Sequence, residues 1–120
     1  MADVQPYKPV TKNLDRKRGD TKPYRFVRKV NGAPVDITGF IYVMTGDLSP
    51  SPPDDTTKTF QITGTIVDGP NGIFSFVPIP ADVDFVGKHF YDISEKDGSS
   101  KLLTIVEGFI KFDQDIGKTT

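Results

Sequence analysis

The sequence predicts an all-β protein, a single antiparallel β-sandwich of about six or seven strands. Two observations support this fold class. Short runs of β-branched and aromatic residues alternate with polar residues at a period of two. Turn segments rich in Gly, Pro, Asn and Asp separate these runs at roughly regular spacing, and no run has the period of an amphipathic helix. The 120 residues are about the usual size of one domain.

The N-terminal segment differs from the rest of the chain. Its first 18 residues have no sustained period and contain two Pro among many polar residues. We therefore expect residues 1–18 to form an extended basic arm outside the core. The sandwich domain is expected over residues 19–116, followed by a polar C-terminal tail over residues 117–120.

The first strands are predicted directly after this arm. Tyr24 and Phe26 alternate with Arg25, which places both aromatic rings on one face of a strand. The Asn-Gly pair at 31–32 predicts a tight hairpin turn, because both residue types tolerate positive φ. The unbroken apolar run 40–44 predicts a strand that is covered on both faces.

A long loop is predicted at 47–57, where three Pro and three Asp exclude a strand or helix interior. Alternation resumes at Phe60, Ile62 and Ile66, which predicts one strand. The cluster of turn residues at 68–72 ends it.

The next strand carries Phe74 and Phe76 on one face and ends at the prolines that follow. Residues 81–88 predict one helical turn or a crossing loop. The last two strands form a hairpin around the Asp-Gly turn at 97–98. The final strand is long, and a bend is expected at Gly108.

Composition restricts the chemistry that the chain offers. It has no Cys and a single His, His89, which we expect to be a surface or cross-strand packing residue within a strand. A Cys–His dyad or Cys-ligated zinc site is therefore impossible, and no Ser lies in a G-x-S-x-G elbow. The Asp residues at 47–55 and 82–84 lack the spacing of a calcium loop. We expect no enzyme activity, metal or cofactor, and no apolar run is long enough to span a membrane.

Charge is distributed unevenly along the chain. Residues 1–30 carry nine Lys or Arg against three Asp, whereas residues 31–120 carry six basic against thirteen acidic residues. This polarity favours contact between the basic end and an acidic surface of a neighbouring protein or a sibling copy. Nucleic acid is a less favoured partner. Arg18-Gly19-Asp20 matches a receptor-binding tripeptide, but a turn into the first strand explains Gly19 and Asp20 without a receptor.

Several motifs in order resemble a known family. A G-D-T segment at 19–21 opens the first strand, V-D-I-T-G-F follows the first hairpin at 35–40, and G-K-H-F-Y-D-I precedes an Asp-Gly turn at 87–93. Across residues 18–116 the chain resembles the N-terminal domain of phage baseplate upper proteins and related small virion proteins. The resemblance implies an immunoglobulin-like β-sandwich that serves as a non-catalytic assembly module.

The resulting hypothesis is a structural phage virion protein, a component of baseplate, tail, neck or head surface. It is expected to assemble in several copies with other virion proteins, within the cytoplasm of a host bacterium. The alternatives are a host-surface binding module that uses the 47–57 loop, and a nucleic-acid accessory protein. The candidate assembly interface consists of Tyr7, Val10, Leu14, Arg16, Lys17, Arg18 and Lys22.

Overall fold

The computed structural model describes residues 9–49 and 58–114. Its strands are β1 (Val10–Thr11), β2 (Leu14–Lys17), β3 (Tyr24–Val27), β4 (Lys29–Val30), β5 (Ala33–Pro34), β6 (Ile41–Asp47), β7 (Phe60–Thr63), β8 (Thr65–Asp68), β9 (Ile73–Phe76), β10 (Gly87–Lys96) and β11 (Leu102–Asp113), with a 3-10 helix at Pro80–Asp82.

Two sheets pack into a sandwich, which confirms the predicted fold class. One has the strand order β11-β10-β6-β7, with β1 and β2 added beside β11, and the other has the order β3-β9-β8. Immunoglobulin domains arrange strands B, E and D in one sheet and G, F and C in the other, and the variable type adds C′. The strands of this protein occupy the same positions. In the smaller sheet, β3, β9 and β8 correspond to B, E and D, and in the larger sheet, β11, β10, β6 and β7 correspond to G, F, C and C′. The sandwich is therefore immunoglobulin-like in topology.

Aromatic rings from both sheets fill the space between them. Tyr42 on β6 stacks on Phe74 on β9, with ring centroids 3.9 Å apart and planes 6° apart. Phe74 also contacts Phe26 and Phe76, each at a centroid distance of 5.7 Å. All four side chains are buried. The Tyr42–Phe74 stack crosses between the two sheets, and the edge contact of Phe74 with Phe76 is an arrangement that aromatic pairs prefer.

A buried ion pair also joins the two sheets. The Arg28 Nε lies 2.7 Å from the Glu95 Oε2, and the Tyr42 hydroxyl donates a hydrogen bond of 2.8 Å to the same oxygen. Arg28 follows β3, whereas Glu95 lies on β10 in the other sheet. Burial raises the pKa of Tyr42, and the hydrogen bond to Glu95 raises it further. Tyr42 therefore stays a neutral donor to the carboxylate.

The local predictions for the first strands are confirmed at two points. Tyr24 and Phe26 are buried on one face of β3, while Arg25 between them is exposed. Asn31 and Gly32 have φ values of 52° and 79° and connect β4 to β5. Positive φ at both central residues is what a tight hairpin between twisted strands requires.

The apolar run 40–44 was expected to be covered on both faces, and this was wrong. Strand β6 starts one residue later, and its burial alternates: Tyr42 and Met44 are buried, whereas Ile41 is 50% exposed. The run lies in the four-stranded part of an antiparallel sheet, whose outer face meets solvent.

The single strand expected at 60–66 is two strands in different sheets. β7 pairs with β6, whereas β8 pairs with β9, and Gly64 separates them. Gly64 donates a backbone hydrogen bond of 2.7 Å to the Tyr42 carbonyl, and a Cβ there would press on the Phe76 ring and the Tyr42 side chain. The chain therefore changes sheet at a residue without a side chain.

The irregularity in the final hairpin lies at Ile105, not at Gly108. In β10 and β11, Ser94 pairs with Thr104 whereas Ile93 pairs with Val106, so Ile105 is the extra residue of a β-bulge. Ile105 and Val106 are consecutive buried residues. The bulge thus lets both apolar side chains enter the core and shifts the pairing of every later residue by one.

Residues 10–17 are not an arm outside the sandwich. β1 and β2 pair with β11 in parallel and extend the larger sheet. Between them the Lys12 amide donates to the Glu107 carbonyl, and the Tyr91 hydroxyl donates to the Lys12 carbonyl at 2.7 Å. These strands of two and four residues are too short to show a period, which is why the sequence pattern missed them.

Candidate interaction surface on the larger sheet

The outward face of the β10–β11 hairpin carries three cross-strand pairs in succession. Lys88 is opposite Lys111, Phe90 is opposite Phe109, and Asp92 is opposite Glu107. We call these pairs the lysine rung, the aromatic rung and the acidic rung. The four charged residues are exposed and the two Phe are half-buried. Successive rungs are two residues apart on each strand, so they share one face and lie about 7 Å apart.

The lysine rung leans onto the aromatic rung. The Lys88 Nζ lies 4.3 Å from the centroid of the Phe109 ring and 6.0 Å from that of Phe90. The Lys111 Nζ lies 3.8 Å from the Asp113 carboxylate on the same strand. These contacts show that the outer faces of both rings are accessible to a cation.

The acidic rung places two like charges directly opposite each other. Cross-strand pairs of like charge destabilise a sheet. Partial burial raises the pKa of Asp92, and the Glu107 carboxylate raises it further. The arrangement therefore costs the isolated domain free energy, and a cation placed over the rung would recover it.

A groove of about 650 Å³ lies over the acidic and aromatic rungs. Thr11 and Asn13 border it beside β11, and Thr45 and Gln61 border it on the opposite side. Gln61 Nε2 donates to Thr45 Oγ1 at 3.1 Å. The lysine rung is outside this groove, so the face combines a recess at one end with long side chains at the other.

The described ends of the predicted 47–57 loop also line the groove. Asp47, Ser49 and Lys58 border it near Phe90. Residues 50–57 of this loop lie outside the described residues. Asp47, Ser49, Lys58 and the aromatic rung therefore belong to one surface, although they are distant in sequence.

Three residues of the predicted interface contact their own domain instead. Leu14 packs against the core, and the Arg16 guanidinium lies 4.4 Å from the centroid of the Tyr24 ring. The Arg18 Nε makes an ion pair of 2.9 Å with Asp84. These contacts place the three side chains against the sandwich, and whether they also bind a neighbour stays a prediction.

The other predicted interface residues are exposed or lie outside the described part. Val10 is 62% exposed, and Lys17 and Lys22 are exposed. Tyr7 lies outside the described residues. Of the basic residues at 16–18, Arg18 has an acidic partner in Asp84.

His89 is a buried packing residue. Its ring lies 4.4 Å from Phe85 and 5.5 Å from Phe112, measured between centroids, and its Nδ1 has no hydrogen-bond partner among the described residues. Burial lowers the pKa of His89, although the nearby Asp47 carboxylate acts in the opposite direction. The ring therefore stays neutral near pH 7.

No set of three His, Asp or Glu side chains within residues 9–49 and 58–114 is placed to hold a metal ion. No helix in the same part of the chain is long and apolar enough to cross a membrane.

The sequence analysis did not identify the six rung residues as one surface. The available signal was the alternation in both strands of the hairpin, which marks residues 88, 90 and 92 and residues 107, 109 and 111 as sharing faces. Pairing them needs the register, and the bulge at Ile105 changes the register by one residue.

Comparison with known proteins adds evidence at the level of the fold. No family model and no curated protein sequence matches the chain. Among solved structures, the fold is similar to one described as the N-terminal domain of phage TP901-1 ORF48. The TM-score is 0.56 at 13% sequence identity, and the alignment covers 88% of this chain and 90% of that one. The chain thus shares its fold with a phage protein domain over nearly its whole length.

Proposed function

We propose that this protein is a structural component of a phage virion that assembles with other virion proteins. The observation that supports it most is the shared fold with a phage protein domain, which spans 88% of this chain and 90% of the other. The order of motifs that resembles baseplate upper proteins is independent support, since it was found in the sequence alone. Baseplate, tail, neck and head surface are all compatible with such a module.

In this proposal the sandwich acts as a rigid, non-catalytic body. The two sheets are joined by a buried aromatic core and by the Arg28–Glu95 ion pair, so an outer face keeps its shape during assembly. The rungs on the β10–β11 face offer the apolar and charged groups that protein interfaces use. When many copies assemble, modest contacts per subunit multiply.

The test is to look for the protein in purified particles. Virions of a phage that encodes this chain are purified through a density gradient and analysed by quantitative mass spectrometry. A structural component is expected at a fixed stoichiometry to the known capsid proteins, and deleting its gene is expected to give incomplete or non-infectious particles. Particles that lack the protein, together with normal infectivity of the deletion mutant, would contradict the proposal.

Host-surface binding is the second candidate, and one observation favours it. Phe90 and Phe109 form an accessible aromatic pair beside the Asp92 and Glu107 carboxylates, and the ends of the 47–57 loop border them. Aromatic rings beside hydrogen-bonding side chains form the kind of platform on which sugars stack. Binding to a glycan array, lost in Phe109→Ser but kept in Arg25→Ala, would support this role. An array without signal would argue against it.

A further inference from the structure

We propose that a second copy of this chain docks face to face on the β10–β11 surface, related by a two-fold axis that runs parallel to the aromatic rung. This inference deepens the proposed assembly function by naming the first partner in the assembly. Its basis is the order of the three rungs, which makes the surface complementary to itself.

The symmetry argument starts from the sequence of charges along the face. Moving along the strands, the face presents two positive, two aromatic and two negative side chains. A two-fold axis parallel to the aromatic rung, placed above the face, reverses the strand direction but keeps β10 over β10 and β11 over β11. The lysine rung of each copy then lies over the acidic rung of the other, and the aromatic rungs meet at the axis.

Other face-to-face orientations are less favourable. An axis parallel to the strands would place lysine rung on lysine rung and acidic rung on acidic rung, so like charges would meet. The favoured orientation also keeps the strands of the two stacked sheets roughly aligned, which is a common way for sheets to pack. Closed two-fold dimers use the same patch on both copies, as this surface requires.

Shape supports the same orientation. The groove covers the acidic and aromatic rungs but not Lys88 and Lys111. In the docked pair, these long lysine side chains enter the partner's groove between the walls that Thr11 and Gln61 help to form. Each copy therefore supplies both the protruding groups and the recess that receives them.

The energetic reasons are local. The acidic rung is a like-charge pair that destabilises the isolated domain, and two ammonium groups from the partner would neutralise it. Lys88 already rests on the Phe109 ring and Lys111 on Asp113, both at exposed positions where such contacts are weak. Replacing these two contacts by contacts with the partner's acidic rung therefore costs little free energy. The half-buried Phe90 and Phe109 become buried at the axis, which adds an apolar contribution.

Charge reversal gives a test with its own rescue. Variant one is Asp92→Lys/Glu107→Lys, which makes the face entirely positive at the charged rungs. Variant two is Lys88→Glu/Lys111→Glu, which makes it entirely negative. Wild type is expected to approach twice the monomer mass of 13.2 kDa in sedimentation equilibrium. Each variant alone is expected to dissociate at least about tenfold more readily, and an equimolar mixture of the two is expected to form a heterodimer.

Controls separate docking from folding. Far-UV circular dichroism and thermal unfolding confirm that each variant is folded. Arg25→Glu changes an exposed charge on the outer side of the other sheet and is expected to leave the mass unchanged. Wild type that stays monomeric at the highest attainable concentration, or variants that dimerise as wild type does, would overturn the inference. A mixture that stays monomeric would overturn the self-complementary register.

Cysteine cross-linking tests the axis without altering any charge. The chain has no Cys, so a single introduced Cys can be linked only to the same residue of a second copy. Stacked sheets lie about 10 Å apart, beyond the reach of a disulfide, so the reagent is a bismaleimide with a spacer that spans this gap. Phe90→Cys lies beside the proposed axis and is expected to form a cross-linked dimer, whereas Thr65→Cys on the other sheet is not. Equal cross-linking at both positions would contradict the axis. A failure here leaves the virion proposal standing, because detection in purified particles does not depend on this dimer.

Discussion

At the scale of single residues, His89 is a titratable side chain in an apolar environment. Its ring is 3% exposed and lies among aromatic side chains, and Nδ1 has no hydrogen-bond partner there. Protonating this ring would place a charge in an apolar contact, which explains why burial lowers its pKa. The sequence left His89 as a surface or a packing residue, and the structure places it on the inward face of β10 with Tyr91 and Ile93.

The buried histidine predicts a pH dependence of stability. The unfolded chain binds a proton at His89 near pH 6.5, whereas the folded protein resists it, so the free energy of unfolding falls as pH drops below about 6.5. One such group changes the stability by at most about 1.4 kcal/mol per pH unit. We expect urea unfolding to show this decrease between pH 7 and pH 5 in wild type.

His89→Phe is the matched variant, since a ring of similar size can fill the same site. It is expected to flatten the pH dependence over that range. The raised pKa of Asp92 acts in the opposite direction, because the folded state binds that proton more readily, and it is present in both proteins. The same slope in wild type and variant would show that His89 is not responsible.

At the scale of elements, the addition of β1 and β2 to β11 depends on a close approach of two backbones. A Cβ at Gly108 would collide with the Lys12 carbonyl oxygen and lie 2.9 Å from the Asn13 Oδ1. The same Asn13 oxygen accepts a hydrogen bond of 3.1 Å from the Phe109 amide. A side-chain oxygen thus replaces the backbone partner where the strand is interrupted between β1 and β2.

Gly108→Ala is therefore expected to displace residues 10–13 and to lower stability by about 1–3 kcal/mol. Faster hydrogen exchange at the Lys12 and Phe109 amides would locate the change. Gly98→Ala is the control, because nothing lies within 4 Å of a Cβ at that exposed turn. Equal effects of the two substitutions, or unchanged exchange at Lys12, would mean that the close approach is not required.

The candidate surface depends on the register of β10 and β11, which the alternation of apolar and polar residues does not give. Alternation correctly gave the two strands of the last hairpin and the turn between them. The one-residue bulge at Ile105 then decided whether Asp92 faces Glu107 or its neighbour. A bulge is selected by how well two adjacent apolar side chains fit the core, and that depends on residues from the opposite sheet.

At the scale of the whole molecule, the Arg28–Glu95–Tyr42 group links the two sheets through a buried carboxylate. The Glu95 side chain is 7% exposed and that of Arg28 is 16% exposed. Removing the carboxylate takes away the shared acceptor of the Arg28 guanidinium and of the buried Tyr42 hydroxyl.

Glu95→Ala is accordingly expected to lower the free energy of unfolding by about 3 kcal/mol or more. Tyr42→Phe removes only a hydroxyl donor and is expected to cost about 1 kcal/mol. Chemical denaturation of both variants and of Arg28→Ala/Glu95→Ala tests this, with Arg25→Ala as an exposed control. Arg28→Ala is measured as well, and if the Arg28→Ala/Glu95→Ala variant loses the full sum of the two single losses, Arg28 and Glu95 do not interact.

The sequence by itself determined the fold class, the Asn31–Gly32 turn, the inward faces of β3 and β9, and the lack of any cysteine chemistry. These features follow from local periodicity and from backbone preferences that each residue carries with it. Tertiary structure alone decided that residues 10–17 join the sheet, that the chain changes sheets at Gly64, and which charges meet across β10 and β11. These depend on backbone approach and register between distant segments, and no local pattern encodes them.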